Sequence, residues 1–130
     1  MEDNLIITKE KTNTSYLVKG FAFSIICTLA LLLIFSILLT YTNISEDIIP
    51  FSIIGISATS ILIGSIVSTK KLNKNGLLNG GIVGIVHMIL IYFSSSVLNT
   101  GFRMNFYTIL MIVIGILCGI VGGIIGVNLK

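Results

Sequence analysis

Ser68-Thr69-Lys70-Lys71-Leu72-Asn73-Lys74-Asn75-Gly76 is the stretch on which the organisation of the chain turns, and Gly80-Gly81-Ile82-Val83-Gly84 follows close behind it. It is the only strongly polar passage between two long apolar halves, and it holds three of the eight basic residues. Two apolar runs precede it and two follow. Its lysines, Lys70, Lys71 and Lys74, also assign a membrane face to the ends of those runs.

Composition sets the class before any motif is read. Hydrophobic residues make up 55% of the 130 and charged residues only 10%, and the mean hydropathy is +1.08. A soluble domain carries about 25% charged residues, so the expectation is a membrane protein whose core is completed by lipid. The net charge of +3 lies almost entirely outside the apolar runs. It implies contact with the acidic head groups of a bilayer and no nucleic-acid partner.

The runs read as four transmembrane helices, at about 17–41, 48–69, 76–97 and 104–127, behind a polar cytoplasmic tail over residues 1–15 that is either loosely ordered or a short helix lying on the membrane surface. About 20 apolar residues cross the hydrocarbon core as a helix, and each run has that length. The first exceeds the apolar core of a signal peptide and has no small-residue cleavage site after it, so a retained helix is expected. Pro50 suits the first turn of the second helix, which Ser45 or Asp47 is placed to cap. No alternating ten-residue segments occur, which excludes a β-barrel. The resulting fold class is all-α: a polytopic membrane protein of two antiparallel hairpins.

Orientation follows from the basic residues. Lys9, Lys11, Lys19, Lys70, Lys71, Lys74 and Lys130 fall on one side, and only Arg103 falls on the other, with Glu46 and Asp47. The positive-inside rule then places both termini and the central loop in the cytoplasm. Tyr41, Phe102, Phe106 and Tyr107 fit an outer interfacial belt, and Tyr16 marks the inner boundary.

Sliding the chain by 60 residues aligns Gly20 with Gly80, Ile54-Gly55-Ile56 with Ile114-Gly115-Ile116, and Lys70 with Lys130. This is either an internal repeat of two hairpins in the same orientation or chance matching in an Ile/Leu-rich chain.

Small residues form the clearest pattern inside the spans. Gly115, Gly119, Gly122, Gly123 and Gly126 make one nearly continuous small face on the fourth. Gly80 and Gly84 mark the third, and Ser57, Ser60, Gly64 and Ser68 the second. Lipid supplies little hydrophobic drive between helices, so such faces matter because they let backbones approach. Two readings stay open: packing among the four helices, or docking of another copy or another membrane protein.

His87 is the one ionisable side chain near the middle of a span, and it follows Gly80 and Gly84 at helical spacing, so it should point into the bundle. Intramembrane ionisable groups are functional candidates by default. A neutral imidazole also makes an ordinary hydrogen-bonding brace, and no membrane-embedded Asp or Glu exists to form a proton relay with it. Cys27 and Cys118 lie in apolar runs without ligand spacing and read as small hydrophobic residues. No nucleophile–base pair, metal site or cofactor site is present in the pattern. The glycines from Gly76 to Gly84 lie inside a span and follow no strand, so they do not form a phosphate loop.

Taken as a whole, residues 15–130 resemble the YrzE-like (TIGR-type) family of small four-helix bacterial membrane proteins of unknown function. The features that carry the resemblance are Val18-Lys19-Gly20 opening the first span and Gly64-x-x-Val67 before the Lys70–Lys74 loop. Gly76-x-x-x-Gly80-Gly81 and the glycine-rich last span complete it. The resemblance implies a multi-pass protein of a bacterial cytoplasmic membrane and supplies no activity, cofactor or catalytic residue. The expected function is that of a non-enzymatic accessory or assembly subunit that associates with itself or another membrane protein. The alternative is a minimal transporter or channel component, for which no small-molecule substrate is indicated.

Overall fold

The computed structural model describes residues 2–43, 45–72, 75–98 and 105–129. Of the residues in the charge and aromatic patterns, Lys74, Phe102, Arg103 and Lys130 lie outside these, as do Asn73 and Met104. All regular structure among the described residues is helical: α1 (Glu2–Tyr41), α2 (Ile49–Thr69), α3 (Gly76–Leu98) and α4 (Phe106–Asn128), with a 3-10 turn at Glu46–Ile48 before α2. Four stretches are long and apolar enough to cross a membrane: Thr14–Tyr41, Ile49–Thr69, Gly76–Val97 and Phe106–Asn128. The chain is a multi-pass membrane protein. The 21 residues of α2 rise about 31 Å at 1.5 Å each, close to the roughly 30 Å of hydrocarbon to be crossed. Each helix satisfies its own backbone groups, which is what lipid demands of a spanning segment.

Two local expectations are corrected. The segment expected to be a loose tail or a short surface helix is helical from Glu2 and continuous with the first span. No proline or glycine interrupts the chain before Gly20, so nothing breaks a helix propagating back from the span. At the start of α2, Pro50 does occupy the first turn, but neither Ser45 nor Asp47 caps it. Ile48 is the N-cap residue and makes no side-chain cap bond. The 3-10 turn takes over part of that role, with the Ile48 amide donating to the Ser45 carbonyl at 3.1 Å.

The second helix organises the bundle. It packs on α1, α3 and α4, whereas α1 meets α2 and α3 but not α4 among the described residues. Sequence neighbours run antiparallel, as the short connections dictate. Leu72 tucks back under the basic end of the bundle and is buried. Asn75 then turns the chain with φ 63°, a left-handed conformation that asparagine tolerates better than most residues, and α3 begins at the next position.

The small residues explain how close the helices come. A Cβ added at Gly20 would collide with Ser68, and one at Gly64 with Ser24, so α1 and α2 cross with almost no side chain between them. Between α3 and α4, Gly80 sits on the Gly119 carbonyl and on Gly123, and Gly84 on Gly115 and Gly119. The two hairpins therefore share a contact scheme: Gly20 against Gly64 and Ser68 corresponds to Gly80 against Gly119 and Gly123. Equivalence holds at 60 residues in the first helix of each hairpin (20 to 80) and at 55 in the second (64 to 119). A uniform 60-residue register is not what the packing follows. It would pair Gly55, which has open space around it, with Gly115, which lies under Met88.

Candidate functional site

The helix-packing glycines of α4 serve two neighbours instead of presenting one continuous face. Gly115, Gly119 and Gly123 face α3, while Gly122 lies on Leu62 and Ser65 of α2 and Gly126 on Ile66 and Thr69. All five are buried inside the bundle. Gly80 and Gly84 are buried opposite them. Ser57, Ser60, Gly64 and Ser68 are buried on α2. The Ser60 hydroxyl is returned to its own helix, donating to the Ile56 carbonyl at 2.9 Å. Another α2 hydroxyl crosses between helices, with Ser65 donating to the Gly80 carbonyl at 3.4 Å. Ser68 Oγ is buried without a hydrogen-bond partner among the described residues.

At the basic end, Lys70 and Lys71 are exposed. The Lys71 ammonium stands 5.8 Å from the centre of the Tyr16 ring, and that of Lys19 stands 5.9 Å from it. At the opposite end Tyr107 meets Phe51 and Phe106 edge-on. Aromatic rings thus mark both ends of the bundle, where amphipathic rings are favoured at a membrane interface.

The polar group at mid-depth is His87, 1% exposed. It lies eleven residues from each end of α3 (87 − 76 and 98 − 87), hence about 16 Å along the axis from either. Gly80 and Gly84 face α4, and the imidazole faces α1. Its Nδ1 lies 2.7 Å from Ser24 Oγ and its Nε2 lies 3.3 Å from Thr28 Oγ1. The hydroxyls are also within reach of their own helix: Ser24 donates to the Phe21 carbonyl at 2.8 Å, and Thr28 to the Ser24 carbonyl at 2.9 Å. The Phe21 ring meets the imidazole edge-on, with centroids 6.4 Å apart. Phe21 also lines an apolar groove of about 120 Å³ between α1 and α3, with Leu17, Val18, Ile82, Val83 and Val86.

Ser24 and Thr28 were not among the residues singled out from the sequence. The signal was there: Gly20, Ser24 and Thr28 recur every fourth residue in a span made mostly of Leu, Ile, Phe and Ala. That spacing puts all three on one helix face. Ser24 has two tasks on that face, since its Cβ fills the space over Gly64 while its hydroxyl reaches His87. Cys27 and Cys118 are free thiols, half-buried. No group of three His, Cys, Asp or Glu side chains able to hold a metal ion occurs among the described residues.

With this geometry in hand, comparison with known proteins gives one result: residues 13–126 match the family described as Protein of unknown function (DUF3792). The chain belongs to that family. The match runs from the start of the first span almost to the end of α4, so the four-helix unit and the His87 cluster both lie inside it. No curated protein and no solved structure matches the chain.

Proposed function

We propose that the protein is a non-enzymatic accessory or assembly subunit of a bacterial cytoplasmic membrane, of the YrzE-like kind, with both termini on the cytoplasmic side. The observation that carries this reading is the distribution of burial along α1. From residue 29 to residue 41 no side chain is buried, and Leu33, Ile34, Ile37 and Leu38 are all more than half exposed. The same helix is tightly held at its other end by the Gly20 and Ser24 contacts. A span clamped at one end and uncovered at the other offers a long apolar face to a second copy or to a larger membrane assembly. The glycine ladders are used up inside the bundle, which removes them as the docking face.

The experiment is site-specific photo-crosslinking in living cells from Leu33 and Ile37, followed by extraction in mild detergent. A discrete crosslinked protein band, absent when the probe sits at buried Ile61, supports the reading. Crosslinks to lipid alone at both positions would overturn it.

A second reading, a minimal transporter or channel component, is favoured by a single observation: the polar cluster of His87, Ser24 and Thr28 at mid-depth, since polar groups buried in a span often mark a transport path.

A further inference from the structure

The hydrogen-bond count around His87 does not balance when the ring is neutral. Each hydroxyl has one proton to donate, and a neutral imidazole has one more. Three protons therefore face four contacts: Ser24 Oγ to the Phe21 carbonyl, 2.8 Å; Ser24 Oγ to Nδ1, 2.7 Å; Thr28 Oγ1 to the Ser24 carbonyl, 2.9 Å; and Thr28 Oγ1 to Nε2, 3.3 Å. Carbonyl oxygens only accept, so both hydroxyl protons are committed when the two backbone bonds form. The one remaining proton belongs to the ring.

The distances say which contact goes without. Three are in the ordinary hydrogen-bond range and the fourth is longer than that range. If Nδ1 carries the ring proton, it donates to Ser24 Oγ, and every short contact then has its proton. Nε2 is left with its lone pair turned toward a Thr28 oxygen that also has only lone pairs to offer.

We infer that His87 is held as the Nδ1–H tautomer, and that Nε2, facing Thr28, is a proton-binding site. The step is simple in atoms and charge. A hydronium ion gives its proton to the Nε2 lone pair and leaves as water: one O–H bond breaks as one N–H bond forms, no covalent bond of the protein breaks, and the ring goes from neutral to +1. The new N–H donates to Thr28 Oγ1 and completes the fourth hydrogen bond between α1 and α3. Acidification thus tightens the brace between these helices. This inference goes beyond the proposed function and holds whether or not a partner docks on α1.

No other charge shares the site. The titratable side chains on the packed helices are Cys27 and Tyr41 on the spanning part of α1 beyond Lys19, Tyr92 on α3, and Tyr107 and Cys118 on α4; α2 has none. No carboxylate lies in any span to balance an imidazolium, so the hydroxyl lone pairs are the groups that receive it.

The chain has a single histidine, so ¹⁵N-histidine labelling of the full-length protein in phospholipid bilayers reports His87 alone. Solid-state NMR at neutral pH should find the proton on Nδ1 and an unprotonated Nε2, with Nε2 becoming protonated on acidification. In Ser24→Ala the neutral ring should switch to the Nε2–H tautomer, because Nδ1 has lost its acceptor. In Thr28→Val the neutral tautomer should stay Nδ1–H. Its Nε2 should then titrate about one pH unit lower, a tenfold loss of proton affinity, the worth of a hydrogen bond to a charged group. A neutral Nε2–H tautomer in the wild type would overturn the inference. So would an Nε2 that stays unprotonated until the helices unfold, or a Thr28→Val midpoint equal to that of the wild type. Where Ser24→Ala fails to assemble, the wild-type tautomer and Thr28→Val decide alone.

Discussion

His87 Nδ1 lies 2.7 Å from Ser24 Oγ although 63 residues separate them in the chain. The contact joins α1 to α3, two helices that run parallel and that are linked in the chain through the antiparallel α2. It therefore fixes how the first hairpin sits on the second at mid-depth. Its energetic worth is measurable as a double-mutant cycle of Ser24→Ala and His87→Leu, with unfolding followed in detergent. Interhelical side-chain bonds in membranes average about 0.6 kcal/mol, so a coupling of about that size is expected. Strict additivity of the two substitutions would mean that the contact does not hold the helices.

The glycine seam between α3 and α4 gives a stronger effect. A side chain at Gly119 runs onto the Gly80 carbonyl and the backbone of Gly84. Gly119→Leu is expected to destabilise the bundle by about 1–3 kcal/mol through overpacking. Val113 on the same helix is 48% exposed, and Val113→Leu should be tolerated. Equal tolerance at both positions in thermal unfolding would argue that the seam is not a packing contact.

The crossing of α1 and α2 has an asymmetric response to single-methyl and hydroxyl changes. Gly20→Ala places a methyl group on Ser68 and should cost about 1–3 kcal/mol. Ser68→Ala removes a buried hydroxyl that has no partner among the described residues. Removing such a group is expected to be neutral or to stabilise by up to about 1 kcal/mol. Unfolding midpoints of the two variants should move in opposite directions, or the second should not move.

Orientation is tested by cysteine labelling from either side of the membrane. A cysteine at Ser45 should be reached from outside, and one at Asn73, a position outside the described residues, only from inside, as the basic residues direct. Labelling of both from one side would contradict the count of spans between them.

How much of this was legible in the sequence depends on which force writes each feature. Lipid demands length and apolarity, and these are properties of a contiguous run. The last three spans accordingly lie within two residues or so of α2, α3 and α4, and the first ends with α1 at Tyr41. The helix through the tail was not legible in this way, because polar composition says where a segment sits and not whether a helix continues through it. Gly119 and Gly80 could be named as packing residues from their spacing, yet spacing cannot assign Gly122 and Gly123, adjacent in sequence, to two different neighbours. His87 could be placed inside the bundle by its position after Gly84. Its partners could not be paired with it, since nothing local to Ser24 or Thr28 identifies α3 as the helix across from them. The repeat register failed for a related reason: α4 is shifted five residues against the pattern of α2, and an Ile-rich sequence hides such a shift.

Whether His87 braces two helices without carrying ions is tested most directly by pH-dependent flux in proteoliposomes of the wild type and His87→Gln. Glutamine keeps a donor and an acceptor but cannot change charge. Both proteins are expected to fold, and both should give the flux of empty vesicles. A reproducible flux in the wild type that is lost in a folded His87→Gln protein would contradict a bracing role without ion transport.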